Sequence, residues 1–193
     1  RLVTDLMQTA GIKRILTVEL HADQIQGFFR IPVDNVYSTK HFADDINSLE
    51  LQNLRIVSPD VGGVLRARSL AKQVGDADLV IIDKRRPMAN VAEVMNVIGD
   101  VTDKNCIIVD DIIDTGGTLC KAVDALLSKG ASTVRAYCSH AVLSGNAIEN
   151  IQSSAITELV ITDTIPTTIA GKSKIRKMSV DSLLAEAIYR VDN

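Results

Sequence analysis

The stretch Cys106-Ile-Ile-Val-Asp-Asp-Ile-Ile-Asp-Thr-Gly-Gly-Thr118 decides the fold, because an apolar run drives directly into two carboxylates, a third acid and a glycine turn. Ile107 to Val109 has the length and β-branching of a strand covered on both faces. Asp110 and Asp111 fall where such a strand ends, and Leu119 to Leu127 continues with apolar residues at helical spacing. Between them, Asp114, Thr115, Gly116, Gly117 and Thr118 supply glycines that let backbone amides turn inward and hydroxyls that can donate to phosphate oxygens. A helix start adds unpaired N–H groups and the positive end of its dipole, so an anion is favoured there. Adjacent carboxylates suit ribose hydroxyls, which donate hydrogen bonds, and Mg²⁺, which takes hard oxygen ligands. The plain alternative is a polar strand end followed by an ordinary turn.

Working outward, strand and helix patterns alternate. Leu54–Ser58, Leu79–Ile82, Cys106–Val109, Thr133–Cys138, Leu159–Thr162 and 174–178 read as strands. Gly63–Val74, Thr118–Lys129, Ala147–Gln152 and Leu183–Arg190 read as helices, and Ala89 to Ile98 as a polar loop or weak helix. Before these, Arg1–Ala10 reads as a helix closed by Gly11, and Arg14–Leu20 as a strand. Ile31 to Asn35 is extended by Pro32, and Ser38 to Asp45 marks a connection or a helix start. Such alternation predicts an α/β fold: a doubly wound, mostly parallel sheet with helices on both faces and ligand at the carboxyl ends of the strands. The expected chemistry follows that rule, with His21, Asp60, Lys84 and Asp110 each placed at or just beyond a strand end.

Composition narrows the function. The 193 residues carry a net charge of −3 with three Phe, three Tyr and no Trp, which argues against an extended nucleic-acid surface. A phosphorylated ligand must then be met locally by a metal, helix termini and a few placed cations. Cys106, Cys120 and Cys138 lack C-x-x-C spacing and read as buried small residues, so neither a disulfide frame nor a zinc site is expected. Neither a membrane-length apolar run nor a signal-peptide series is present, so the expected location is cytoplasmic, with no membrane partner. The chain opens on Arg1 in mid-helix, and we expect a fragment of a longer protein.

Three further segments carry chemistry. His21 opens Leu20-His-Ala-Asp-Gln-Ile-Gln-Gly-Phe-Phe29, where a strand-end imidazole can meet phosphate or a metal, although a lone histidine is more often structural. Asp60, in Val57-Ser-Pro-Asp-Val-Gly-Gly63, is either a helix cap or a Mg²⁺ ligand. Asp83-Lys-Arg-Arg-Pro87 packs three cations at a strand end; it is a solvated basic turn or, if the following loop 88–99 closes, a source of cations for a charged transition state. Alternate residues of an extended segment share a side, so Lys84 and Arg86 can reach one ligand while Arg85 points away.

The glycine loop resembles the phosphoribosyl-pyrophosphate loop of type I phosphoribosyltransferases, and it lacks the Gly-Lys-Thr of a Walker loop. Taken with the His21, Ser58-Pro-Asp-Val-Gly-Gly63 and Asp83-Lys-Arg-Arg-Pro87 segments, the chain resembles the ribose-phosphate pyrophosphokinase family from end to end. The resemblance implies Mg²⁺-dependent transfer of the diphosphoryl group of ATP to the anomeric hydroxyl of ribose 5-phosphate. By motif, His21 and Asp60 are the implied Mg²⁺ or ATP-phosphate contacts, and Lys84 and Arg86 the implied catalytic-loop cations, Arg86 also facing ribose 5-phosphate. Asp110 and Asp111 are implied for the ribose hydroxyls and Asp114 to Thr118 for the 5-phosphate. The resemblance further implies a homo-oligomer, commonly a hexamer, and a phosphate or nucleoside-diphosphate effector site near Gln26, Asp34 and Asn35. It places residues 1–37 as the remnant of an amino-terminal domain and 38–193 as a carboxyl-terminal domain of the same fold. Glu19 stands where the family usually has Asp, and the adenine-binding segment would precede Arg1, so this chain alone is expected to be inactive. Rival readings are a phosphoribosyltransferase, which has no need of Lys84, Arg86 and the His21 segment, and a non-catalytic associated subunit, which would be expected to lose loop acids that are all present here.

Overall fold

The computed structural model describes residues 1–85, 94–169 and 173–192. The chain divides into two compact units, one of residues 1–38 and 180–193 and one of residues 39–179. The first break lies one residue beyond the expected boundary; the closing helix, expected in the larger domain, groups with the first unit.

In the first unit, α1 (Leu2–Thr9) is followed by Gly11 at φ +97°, a left-handed residue that stops the helix at no Cβ cost. Strands β1 (Ile15–Val18) and β2 (Val33–Val36) pair in parallel, from Ile15 opposite Val33 to Val18 opposite Val36. A 3₁₀ turn, Asp23–Phe28, lies between them. His21 thus follows a strand of a separate two-stranded sheet, not the first strand of one continuous sheet as the sequence led us to expect.

The second unit opens with α2 (Thr39–Ser48), so the polar stretch after Ser38 is a helix. Strand β3 (Leu54–Ser58), α3 (Val64–Gln73), β4 (Asp78–Arg85), β5 (Val94–Ile98) and β6 (Asn105–Ile113) follow. The unit continues with α4 (Gly117–Ser128), β7 (Thr133–Ala141), α5 (Ala147–Ser153), β8 (Glu158–Thr162) and β9 (Ile175–Met178). The closing helix α6 (Asp181–Asp192) returns to the first unit. The seven strands run β5-β4-β3-β6-β7-β8-β9, all parallel except β5, which is antiparallel to β4.

Two expectations need correction. Residues 94–98, expected as loop or weak helix, form the edge strand β5, with half-buried Met95 and Val97 alternating with exposed Asn96 and Ile98. This pairing draws β4 out to Arg85, so Lys84 stands inside a strand opposite Met95 rather than past its end. The rest of the expected 88–99 loop, as far as residue 93, and Arg86 lie outside the described residues.

Period-2 alternation builds the core on both faces. Along β6, Cys106 and Ile108 join Leu119, Ala122, Val123 and Leu126 of α4 on one face. Ile107 and Val109 join Phe42 and Ile46 of α2 and Leu70 of α3 on the other. Each such large aliphatic side chain contributes about 1.5–3 kcal/mol on burial. Beneath α2, the wholly buried Tyr137 stacks against Phe42 at a ring separation of 5.3 Å and donates to Asp45 Oδ2 at 2.6 Å. Arg176 of β9 grips the same carboxylate with both terminal nitrogens, at 3.0 and 2.7 Å, and reaches Glu158 with Nε at 2.8 Å. Among the described residues no helix is long and apolar enough to cross a membrane.

Candidate active site

The winding direction reverses between β3 and β6: from β3 the chain moves outward to β4 and then crosses to the opposite neighbour. Ligands of open α/β sheets lie outside the carboxyl ends of the strands at such a reversal. Asp60 follows β3 here, and the acid pair with the glycine loop belongs to β6 and its exit.

Pairing with β7 extends β6 as far as Ile113 opposite Ala141, so Asp110 and Asp111 are held by the sheet rather than by a loop. Both carboxylates lie near one cation: Arg66 of α3 places Nη2 at 3.4 Å from Asp111 Oδ2 and Nη1 at 3.9 Å from Asp110 Oδ1. Asp110 Oδ1 also accepts the Asp111 N–H at 2.9 Å. Burial, then the hydrogen bond and charge of Asp111, push the Asp110 carboxyl up to about 7. Arg66 opposes that rise. The pair therefore holds less than two full charges near neutrality, and hydroxyl donors or a cation arriving there would displace a proton.

The turn beyond β6 is anchored from β7. Val142 and Leu143 donate backbone N–H groups to Ile113 O, and Ser144 N–H donates to Asp114 O at 3.1 Å. The Ser144 hydroxyl donates to Asp114 Oδ1, which fixes that carboxylate at the start of the turn. Gly116 sits at φ +73°, and a Cβ there would approach Ile151 Cδ1 to 3.3 Å. Both the backbone conformation and the closeness of α5 therefore require glycine. Helix α4 starts without a side-chain cap and without an acidic residue in its first turn, while Thr115 and Thr118 are exposed. An uncapped start presents its first N–H groups to whatever lies in front, and with two hydroxyls beside it this turn suits a phosphate.

At the end of β3, Asp60 Oδ1 accepts the Gly63 N–H at 2.8 Å and its carbonyl accepts the Ser58 hydroxyl at 2.7 Å. Asp60 thus closes the turn before α3, whose N-cap is Gly63 with no side-chain cap, and its carboxylate retains a second oxygen for other use. Among the described residues no group of three or more His, Cys, Asp or Glu side chains is assembled for a metal ion. His21 is exposed and lies in the other unit.

Around β1 and β2, Arg14 pairs with Asp34 through Nε at 2.7 Å and Nη2 at 3.2 Å, holding that carboxyl below its ordinary range. Asn35 accepts the Leu20 N–H and donates to Asp23 at 3.0 Å, Tyr37 donates to the same Asp23 oxygen, and Gln26 donates to the Asp23 carbonyl. Glu19, buried at φ +46°, accepts the Ser38 N–H at 3.4 Å and so ties the strand ends together. Sequence reasoning missed Arg66 and Ser144. The only hint of Arg66 was a cation in the first turn of a helix, where the dipole disfavours one.

The comparisons agree with this geometry. Residues 80–193 match the family model described as phosphoribosyl synthetase-associated domain. The chain is 57% identical over its whole length to proteins named ribose-phosphate pyrophosphokinase from Marinomonas sp. and Bordetella parapertussis, of which it spans 62% and 63%. A crystal structure of phosphoribosylpyrophosphate synthetase from Mycobacterium smegmatis superposes with a TM-score of 0.90 at 38% identity, covering 98% of this chain and 62% of that one. The fold is therefore of the type I phosphoribosyltransferase kind, and the chain belongs to the phosphoribosyl synthetase-associated domain family.

Proposed function

We propose that the protein is a ribose-phosphate diphosphokinase, which transfers the β,γ-diphosphoryl group of ATP to the anomeric hydroxyl of ribose 5-phosphate, giving 5-phosphoribosyl 1-pyrophosphate and AMP for nucleotide biosynthesis. The observation that carries this reading is a paired carboxylate on a strand that turns, through a left-handed glycine, into an uncapped helix start. One ligand carrying a diol at one end and a phosphate at the other fits that pairing. Membership of a synthetase-associated family supports it.

In this reading Asp110 and Asp111 accept hydrogen bonds from the ribose hydroxyls, and the amides and hydroxyls of Thr115 to Thr118 hold the 5-phosphate. Sugar and phosphate are thereby fixed on one rigid element, which leaves the anomeric oxygen to meet the β-phosphorus of ATP. A bond forms between them as the bond to the α-phosphate oxygen breaks, and the hydroxyl proton passes to solvent. Lys84 and Arg86 neutralise charge on the migrating group, with Arg86 also bridging to the sugar phosphate. Asp60 would hold Mg²⁺: a hard carboxylate oxygen at the carboxyl end of β3 fits that ion, which binds through one or two carboxylates plus substrate phosphates and water, and His21 is the further proposed contact to the metal or the ATP phosphates. The metal would supply charge neutralisation along the triphosphate. The full protein acts in the cytoplasm as a homo-oligomer, a hexamer as in the family, with residues 1–37 from an amino-terminal domain and 38–193 forming the carboxyl-terminal one. A phosphate or nucleoside-diphosphate effector would bind near Gln26, Asp34 and Asn35.

Because the chain spans 62% of its relatives, the assay compares it with a protein of their full length. AMP released from ATP and Mg²⁺ only when ribose 5-phosphate is present supports the reading. Lys84→Ala in the longer protein should lower kcat on the order of 10²- to 10³-fold with little change in ribose 5-phosphate affinity. Release of AMP unaffected by ribose 5-phosphate, or unchanged turnover in the variant, contradicts it.

A further inference from the structure

Arg66 has no part in the roles assigned above. It is the third residue of α3, in the turn where the positive end of the dipole disfavours a cation. Its side chain is only 17% exposed, so the guanidinium has also left most of its water. What offsets both costs lies across the crevice on β6. The two contacts, 3.4 Å to Asp111 and 3.9 Å to Asp110, straddle two carboxylates instead of forming a tight fork on one. Gly63 lies beside this cation: a Cβ there would be in ordinary contact with Arg66 Nη1 at 3.7 Å and Asp60 Oδ1 at 3.6 Å, and would crowd Ser58 Oγ at 2.9 Å.

Building on the ribose 5-phosphate reading, we infer that Arg66 is a positioning residue for the sugar, its guanidinium gathering Asp110 and Asp111 at one point and favouring their ionised forms so that the pair accepts hydrogen bonds from the ribose diol. A protonated carboxyl would offer one acceptor fewer and a competing donor. Asp111, with 5% of its side chain exposed, cannot stay charged cheaply without a nearby cation. Among the described residues, the groups facing the pair include each other on β6, Arg66 from α3 and Cys138 from β7, with Asp60 on the Gly63 side of Arg66. Cys138 donates its thiol to the Asp111 carbonyl, and burial holds that thiol well above its usual range, so it adds no charge. With Arg66 present Asp110 already reaches about 7, and its removal moves the pair further toward the protonated form.

The test is calorimetric titration of ribose 5-phosphate into the chain and its Arg66→Met and Arg66→Lys variants from pH 6 to pH 9, with far-ultraviolet circular dichroism to verify folding. Arg66→Met should bind at least tenfold more weakly than wild type at pH 7 and recover toward pH 9, its acid limb displaced upward by about one pH unit or more. Arg66→Lys should fall between the two, and it decides the matter if the methionine variant does not fold. Wild-type binding with a variant curve of the same pH dependence, whatever its affinity, overturns the role of Arg66 and leaves the sugar-phosphate site standing. No wild-type binding at any pH overturns the site and the inference together.

Discussion

Asp110 carries the pH signature of the site. Its folded value of about 7 lies above the ordinary 3.8, so the bound proton stabilises the native state. That stabilisation is fully present below about pH 4 and is lost as pH rises through about 7. Its size is at most on the order of a few kcal/mol, because the side chain is partly exposed and Asp111 shares the charge. Asp110→Asn, which keeps the shape of the protonated acid, should therefore gain in melting temperature relative to wild type between pH 5 and pH 8. A constant difference across that range would mean that Asp110 is ionised throughout. Asp110 and Asp111 stand out in the sequence as two charges after an apolar run, although β6 runs past them to Ile113 and does not end there. Arg66, 44 positions earlier, does not, because a cation on a helix reads as a solvated residue until the crossing between β3 and β6 brings it to them.

Among elements, the β6–turn–α4 unit was the most legible, since one segment contains the strand, the turn and the helix start. Gly116 is its weak point. Gly116→Ala imposes a left-handed alanine costing about 1 kcal/mol and presses on Ile151, so about 1–3 kcal/mol of stability should be lost in chemical denaturation. A loss below 0.5 kcal/mol would show that α5 yields freely. The β4–β5 hairpin was the element sequence reasoning missed. Edge strand β5 is only half-buried and carries Asn96 among apolar residues, so its period was ambiguous over five residues. Its pairing through Val94 and Met95 fixes the backbone at Arg85 and at Lys84, the cation proposed for diphosphoryl transfer.

At the scale of the larger unit, the part-buried tie from α2 through Tyr137 and Asp45 to Arg176 joins distant parts of the chain across one sheet face. Asp45 and Arg176 stand 131 residues apart, a separation at which no local pattern announces a partner. Tyr137→Phe removes one hydrogen bond and should cost about 1–2 kcal/mol. Asp45→Ala leaves the Arg176 fork and the buried phenol short of an acceptor, and should cost about 2–4 kcal/mol. Both are read by urea denaturation, and equal losses would mean that Arg176 finds full compensation in Glu158. The doubly wound layering itself was legible from strand–helix alternation, whereas strand pattern alone did not separate the two-stranded sheet carrying His21, because a parallel pair reads the same in either sheet; only the resemblance set residues 1–37 apart.

The central claim is that the turn between β6 and α4 holds a sugar phosphate. Amide-resolved nuclear magnetic resonance of the ¹⁵N-labelled chain during titration with ribose 5-phosphate tests it most directly. The account predicts saturable shifts at Thr115 to Thr118 together with Asp110 and Asp111, reproduced at the turn alone by inorganic phosphate. Shifts confined to other segments, or none at saturating ligand, would contradict it.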